Sequence, residues 1–448
     1  MAFMTFNRRQ NLLFPPSYEE LLPDNHLAKF VVNIVDELDL SRINASYAGH
    51  GKEAYPPLLL LPLLIYSYCT GIFSSRAIER ETYNSLPHYY ICAGLHPDHS
   101  TISDFRRRFA PEVTSLFTQV LEIAKDYGSL QLGSVYLDGT KIKANASKHH
   151  AFSYLRAKEI KAQLENEVKE LMRMAEEADS SSSLIEIPKE IELRENKIEV
   201  LRKAIKEIVQ MAKARYACET AAYEAKVEAR ERKFQETGKK PGGQEPSPPK
   251  EGPNDKDQTN LTDSESRIMP NSDKGFTQAY NAQACVEPKN MLIVEAHLTQ
   301  NPNDKKEMEP ALERLEKLPE SLGKVDIMSA DAGYYSDQNV KACEDKGIDP
   351  YIAAGRVPHH QSLSERLTPE PSEIPEDATT IDKMRHKLRT LQGKAVYKLR
   401  KQVVEPVFGV IKSVMGFRQF SRRGFANCES EWIFCSTCYN LKKIHSLS

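Results

Sequence analysis

The sequence predicts a mixed α/β protein with a helical N-terminal region and a long helical insert, and three observations predict it. Residues 1–130 carry apolar side chains at helical spacing. Residues 260–354 alternate short apolar runs with helical stretches, a pattern typical of α/β folds. Between them, residues 154–235 are rich in Glu, Lys and Ala and have the apolar periodicity of packed helices. With 448 residues, the chain has the length of about three domains.

The composition is that of an ordinary globular protein, with 40% hydrophobic and 28% charged residues. The longest apolar run, Leu58–Ile65, contains Pro62 and is too short to span a bilayer, so we expect no membrane partner. The first residues lack the apolar stretch of a secretory signal. Eight irregularly spaced cysteines indicate reduced thiols, which predicts a cytoplasmic protein.

Residues 1–130 are expected to form a helical, DNA-binding domain. Adjacent prolines suit a helix start just before the apolar run Leu58–Tyr68, and a serine pair can cap a second helix. A third helix is predicted to begin at the capping-box spacing Thr101-x-x-Asp104 and to carry Arg106 and Arg107. Short helices ending in a basic one resemble a helix-turn-helix; a helical bundle with a basic surface turn is the alternative.

A strand-like run follows at Ser134–Ala144, within a predicted first part of the α/β core at residues 131–153. It contains Asp138 and Gly139, followed by Lys141. Because Asp is unfavourable inside a strand, Asp138 either ends the strand at a turn or has a chemical role.

Residues 154–235 are predicted to form a helical hairpin inserted into the core. Two apolar stripes at helical spacing suit a packed seam, so a structural or dimerising role is expected. Residues 236–259 are rich in Pro, Gly and charge and predict a flexible linker. The stripes are Ile160, Leu164, Val168 and Leu171 in the first helix, and Ile198, Leu201, Ile205 and Ile208 in the second.

Residues 260–448 are predicted to complete the core and to end in basic helices. The apolar pattern predicts two strands, a helix, a strand, a helix and a strand, then a loop over Arg356–Thr379 and two C-terminal helices. The first five of these elements are Gly275–Glu287, Met291–Thr299, Lys305–Leu318, Lys324–Ala330 and Asp337–Lys346, and the last strand is Asp349–Ala354.

Charge is concentrated near the C-terminus, although the net charge of the chain is only −2. From Asp382 to Gly424 there are twelve Lys or Arg residues and two acids. Such a block predicts a surface that binds a polyanion. A solvated helix face is the alternative.

Three acids stand out as candidates for chemistry. Asp138 and Asp331 lie at predicted strand ends, where active sites of open sheets collect. Glu405 is nearly alone among the cations of the basic block. Three carboxylates can hold two hard divalent cations such as Mg²⁺, and two such ions can promote phosphodiester cleavage.

Helix geometry predicts which cations share a face with Glu405. In a regular helix Tyr397, Lys401 and Lys412 lie within about 80° of Glu405, whereas Arg400 lies roughly 140° away. We therefore expect Lys401 to face the site and Arg400 to lie on its flank. Pro406 can kink the helix at this point.

Several ordered motifs resemble the DDE transposases of bacterial insertion sequences, in particular the group with a Tyr-Arg-Glu-Lys signature. They are Leu137-Asp138-Gly139-Thr140, Ala330-Asp331-Ala332-Gly333-Tyr334, Val404-Glu405-Pro406-Val407-Phe408-Gly409, Asn260-Leu261-Thr262-Asp263, Tyr280-Asn281-Ala282-Gln283 and the N-terminal Tyr66–Arg80 and Pro97–Arg106 segments. The resemblance implies a ribonuclease H-like core, with Asp138, Asp331 and Glu405 as catalytic metal ligands.

The resemblance also implies cofactors and partners. It implies Mg²⁺, with Mn²⁺ as a substitute, and cutting and joining of double-stranded DNA at terminal inverted repeats and in target DNA. A homodimer associated with the bacterial nucleoid is expected. The predicted DNA-binding residues are Tyr397, Arg400, Lys401, Lys412, Arg418, Arg422, Arg423, Arg106, Arg107 and Lys141.

The signature is not matched everywhere. The spacing from Arg400 to Glu405 is one residue too long, whereas Lys401 has the right reach and Lys412 the expected gap. Two other hypotheses therefore stand beside an active transposase: a catalytically silent DNA-binding or repressor derivative, and a coiled-coil scaffold built on residues 154–235.

Overall fold

The computed structural model describes residues 17–47, 53–177, 187–238, 242, 245–270, 275–355 and 378–448. The chain divides into two compact units. The first comprises Met1–Ile142, Asn281–Arg422 and Ala426–Ser448, and the second comprises Lys143–Tyr280 with Arg423–Phe425. Most of the loop predicted at Arg356–Thr379 lies outside the described residues.

The N-terminal region is helical, as the sequence predicts. Helix α3 begins at Pro57 and is buried along nearly its whole length, which explains its unbroken apolar sequence. Helix α6 begins at His99, two residues before the predicted start, because the Asp98 carboxylate accepts hydrogen bonds from the N–H groups of Ser100 and Thr101. The helices are α1 Leu27–Glu37, α2 Ser41–Ala45, α3 Pro57–Cys69, α4 Ser75–Asn84, α5 Leu86–Ile91, α6 His99–Phe109 and α7 Val113–Asp126.

A mixed sheet forms the centre of the first unit. Strand β5 (Phe276–Val286) lies beside β1 (Ser134–Lys143), which is followed by β7 (Ile327–Ala330) and β8 (Asp349–Ile352). Strand β6 (Ile293–Thr299) pairs with β5 in antiparallel fashion. Strands β1, β7 and β8 are parallel, with Leu137 opposite Ala330 and Ala330 opposite Ile352. Strand β4 Arg267–Pro270 also pairs with β5, while β2 Ala151–Ser153 and β3 Gln258–Asn260 form a separate two-stranded sheet. The predicted mixed α/β class is confirmed.

The second unit is dominated by two long helices, α8 Tyr154–Glu177 and α9 Ile187–Thr237. They run in opposite directions, since Glu167 pairs with Arg194 while Glu165 pairs with Arg202. Part of the segment assigned to a linker is held against α9, because the Arg215 guanidinium pairs with Asp257 at 2.8 Å. The apolar contact between α8 and α9 joins buried Ala157, Leu164, Val168, Ile198 and Leu201, with Ile160 and Ile205 packed at its edge.

The remaining helices of the chain are α10 Met308–Glu316, α11 Asp337–Asp345, α12 Thr380–Lys387, α13 Leu391–Gly409 and α14 Phe425–His445. Helix α13 continues through Pro406 and ends in a π-helical turn at Val410–Val414. Its buried face includes Val403 and Val404, and the Tyr136 hydroxyl donates to the Val396 carbonyl at 3.2 Å. In the described ranges no helix is both long and apolar enough to cross a membrane.

Candidate active site

Two of the predicted acids lie side by side where the β1–β7 ladder ends. Asp331 directly follows β7, as predicted, whereas Asp138 lies inside β1, which continues to Lys143. Leu137 and Ala330 are partners in the parallel β1–β7 ladder, so the next residues, Asp138 and Asp331, follow side by side. Parallel neighbours of this kind lie about 4.8 Å apart between strands. The Asp331 carboxylate accepts from the Gly333 N–H at 2.7 Å and caps the short turn after β7.

A third carboxylate, Asp304, lies between β6 and α10 and belongs to the same site. One of its oxygens accepts hydrogen bonds from the amides of Asn281 at 2.7 Å and Gln283 at 2.8 Å. The ammonium of Lys141 lies 3.6 Å from that oxygen. We call Asp138, Asp304 and Asp331 the strand-end cluster.

Sequence reasoning missed Asp304. It lies in a loop of unremarkable composition, far in sequence from both other acids. A signal was nevertheless present in β5. Asn281 and Gln283 are polar residues at i and i+2 of this apolar strand, and they therefore point to the same side of the sheet. Two buried amides on one face need a polar partner.

Charge is not balanced within the strand-end cluster. The pKa of Asp138 is raised to about 6, mainly by burial and with smaller contributions from the carboxylates of Asp331 and Asp304, while the Gly139 N–H and the Arg400 guanidinium act in the opposite direction. Lys141 and Arg400 are the cations in contact with this cluster of three acids. The site therefore favours an additional cation.

The expectation that Lys401 faces the site is wrong. Arg400 is only 8% exposed, and its Nη1 lies 3.4 Å from the Asp138 carboxylate, whereas Lys401 is exposed. Tyr397, one turn earlier, is half-buried near Arg400 and near the charges of Asp138 and Asp331. The helix is regular, but the face that meets Asp138 is the face of Arg400.

Glu405 is exposed on α13, beside the buried valine face. Carboxylate oxygens suit a hard divalent cation, and the fully buried Asn281 contributes an amide oxygen that has no hydrogen-bond partner among the described residues. The donor chemistry therefore fits Mg²⁺. In the described ranges, however, no three His, Cys, Asp or Glu side chains lie close enough together to hold a metal ion, so neither Glu405 nor Asp304 forms a three-ligand set with Asp138 and Asp331.

The other predicted cations are either partly buried or exposed. The Lys412 ammonium donates to the Thr140 hydroxyl and to the Lys141 carbonyl, so it lies directly on β1. Arg106 donates to the Phe73 carbonyl and is partly buried, and Arg422 is half-buried beside Glu431, which lowers their availability to a ligand. The exposed members are Arg107, paired with Asp104, Arg418, which donates to the Lys412 carbonyl, and Arg423, which donates to the Asn145 carbonyl.

Two protein-family models match the chain. Residues 252–441 match the transposase DDE domain, and residues 16–108 match a transposase domain found at the helical N-terminus. No curated protein and no solved structure matches the chain significantly.

The strand-end acids and the two matches define a DNA-transposition protein. The matches together cover more than half of the 448 residues, and the chain belongs to the DDE transposases of insertion-sequence type. The predicted family is thereby confirmed, and the DDE domain makes the mixed sheet a ribonuclease H-like core.

Proposed function

We propose that this transposase cuts and joins double-stranded DNA at the ends of an insertion sequence, using Mg²⁺ or Mn²⁺. The observation that carries the proposal is the side-by-side placement of Asp138, inside β1, and Asp331, directly after the parallel strand β7. The excess of carboxylates over cations around them supports binding of a divalent cation.

In this proposal Asp138 and Asp331 hold the cation, and Glu405 completes the set on the strength of the family resemblance. A bound cation supplies an activated water at neutral pH and stabilises charge on the leaving oxygen. Arg400 keeps the partly buried Asp138 ionised, since a neighbouring guanidinium favours the charged form. Lys412, fixed on β1, orients a phosphate beside the acids.

The exposed face of α13 and the segment after it supply the DNA contacts. Lys401 and Arg418 are exposed there, and each phosphate neutralised by such a side chain releases counterions. We propose that a homodimer brings two element ends together and that the protein acts on the nucleoid in the bacterial cytoplasm.

A cleavage assay tests the proposal. Purified wild-type protein and Asp331→Asn are incubated with DNA carrying the flanking inverted repeats, with Mg²⁺ and with EDTA. We expect strand cleavage only for the wild type and only with Mg²⁺. Asp345→Asn, an exposed acid on α11, is the matched control and is expected to cleave normally. Equal cleavage by Asp331→Asn would remove Asp331 from the site.

A catalytically silent repressor is the second candidate. It is favoured by the exposed position of Glu405, which in the described residues is not gathered with the other acids. This hypothesis predicts that the wild type binds the inverted repeats with a strong salt dependence and does not cleave them in Mg²⁺ or Mn²⁺.

A further inference from the structure

Gln283 lies at the centre of the strand-end cluster and uses both ends of its side-chain amide. It is fully buried in β5. Its Nε2 donates to the Asp304 carboxylate at 2.8 Å, and its Oε1 accepts from the Tyr334 hydroxyl. Its main-chain carbonyl accepts from the indole of Trp432 at 2.9 Å, which fixes the strand at this residue.

These two amide contacts reach the two segments that carry the acids. Tyr334 closes the turn that begins at Asp331. On the other side, Asp304 lies directly over Gly139, the residue after Asp138. A Cβ atom at position 139 would lie 2.8 Å from the Asp304 carboxylate and would collide with the Gln283 amide. The glycine is therefore what allows the amide and the carboxylate to approach β1.

The loop that presents Asp304 is itself held at several points. Asn281 donates to the Asp304 carboxylate and to the Asn301 carbonyl, and the Glu307 N–H donates to the Asp304 carbonyl at 3.0 Å. Asn339 donates to the Lys305 carbonyl at 2.8 Å. Asp304 is thus a fixed acceptor for Gln283.

We propose that Gln283 and Asp304 are positioning residues that set the separation of Asp138 and Asp331. The proposal rests on the proposed function, in which these two acids share a divalent cation. Two ligands must be held to within about 0.5 Å for such a site, and a fully satisfied buried network provides that restraint. Neither residue needs to touch the cation or the DNA.

The side-chain chemistry is specific. The two ends of the amide let Gln283 donate to Asp304 and accept from Tyr334 at once. A leucine at 283 loses both bonds and leaves Asp304 with one amide donor fewer. At position 304 the acceptor oxygen is what holds Gln283: an asparagine keeps an oxygen for Asn281 and Gln283, whereas an alanine does not.

The test measures Mn²⁺ affinity by electron paramagnetic resonance titration of the full-length protein, with no DNA present. Gln283→Leu and Asp304→Ala are expected to weaken Mn²⁺ binding at least about tenfold, the usual effect of losing a residue that orients a ligand. Asp304→Asn is expected to weaken Mn²⁺ binding less than Asp304→Ala does, because it keeps the acceptor oxygen although it removes one negative charge. Tyr334→Phe, which removes one hydroxyl, is a milder variant expected to shift affinity in the same direction as Gln283→Leu.

Gln278→Leu is the matched control. Gln278 is buried in the same strand, and its amide bonds the Ser266 hydroxyl at 2.8 Å. We expect its Mn²⁺ affinity to equal that of the wild type, even if its thermal stability falls. DNA affinity is expected to be unchanged in every variant, and the Mg²⁺ concentration for half-maximal cleavage is expected to rise in Gln283→Leu.

Two results would overturn the proposal. One is wild-type Mn²⁺ affinity in Gln283→Leu and Tyr334→Phe. The other is an Asp304→Asn defect as large as that of Asp304→Ala, which would make Asp304 a charge contributor. Both require that the wild type binds Mn²⁺ and that Asp331→Asn does not; absence of binding in the wild type would instead contradict the proposed function.

Discussion

Two neighbouring groups of titratable side chains differ in how their charge is balanced. One is the strand-end cluster. The other, which we call the inner cluster, consists of Glu295, His297 and Glu307. The β5–β6 register sets Gln283 opposite His297, so the two clusters adjoin on one face of the sheet.

The inner cluster is neutralised from within. All three side chains are at most 3% exposed. The imidazole of His297 lies 2.9 Å from Glu295 and 3.4 Å from Glu307. Burial alone lowers the pKa of His297, but the two carboxylates outweigh it and raise the pKa to about 9. Arg314 adds a second positive charge 4.0 Å from Glu295.

The inner cluster has a structural role, whereas the strand-end cluster is suited to attract a cation. Glu307 accepts hydrogen bonds from Thr299 and Asn301, so the inner cluster ties β6 to the loop that carries Asp304. The strand-end cluster is more exposed and has more acids than contacting cations. The pKa of Asp138 is raised mainly by burial and also by the neighbouring carboxylates. Balanced buried charge holds the loop in place, and unbalanced charge at the strand ends attracts an external cation.

The largest effect is expected for a substitution in the strand-end cluster. Asp138→Asn is expected to lower the cleavage rate by about 10³-fold, because removing the charge of a metal ligand costs several kcal/mol of transition-state stabilisation. Stability should change little, since an amide is isosteric and Asp138 is not part of the inner cluster. Single-turnover cleavage and urea unfolding measure the two quantities. A large loss of stability together with normal cleavage would reverse the assignment of the clusters.

The second prediction concerns a substitution in the inner cluster. His297→Gln is expected to lower the free energy of unfolding by about 3 kcal/mol, because two buried carboxylates lose their cation. His149→Gln, an exposed histidine, is the control and is expected to change stability by less than about 0.5 kcal/mol. Urea unfolding at pH 7 measures both. Equal stability of the two variants would show that the inner cluster is not structural.

The third prediction compares adjacent cations on α13. Arg400→Ala is expected to lower the cleavage rate about tenfold and to weaken DNA binding little, because it removes the cation beside Asp138. Lys401→Ala is expected to do the reverse, since its side chain is exposed and available to phosphate. Cleavage rates and binding titrations on both variants decide this. A larger cleavage defect in Lys401→Ala than in Arg400→Ala would show that Lys401, as helix geometry predicts, acts at the site.

The last prediction is a pH dependence of stability. Because the pKa of His297 is raised from its ordinary 6.5 to about 9, its stabilisation is fully present below pH 6.5 and is lost as pH rises toward 9. The contribution to the free energy of unfolding should fall by about 1.4 kcal/mol per pH unit in that window. His297→Gln should lack this slope. An identical slope in both proteins would assign it to another group.

The sequence predicted much of the site because its signals are local. Asp138 stands inside a strand-like run, which is unfavourable without a role, and Asp331 directly follows a short apolar strand. Strand and helix positions in the core follow from apolar periodicity, and element ends differ by a few residues where a cap such as Asp98 decides them.

The remaining residues depend on packing between distant segments. Asp304 joins the site only because the β6–α10 loop is held against β5, a contact that no local pattern encodes. Helix geometry correctly separates Arg400 from Glu405, but it cannot say which side meets the sheet. That choice is made by the valines that pack inward, and they bury Arg400 against Asp138.

By itself, the sequence determined the family, the mixed α/β class and two strand-end acids, because motif order and apolar periodicity are properties of the chain alone. Tertiary structure alone decided the third acid, the positioning amide of Gln283 and the cation beside Asp138. These depend on strand register and on the rotation of α13 against the sheet. Both are fixed by the burial of apolar side chains from segments more than a hundred residues apart.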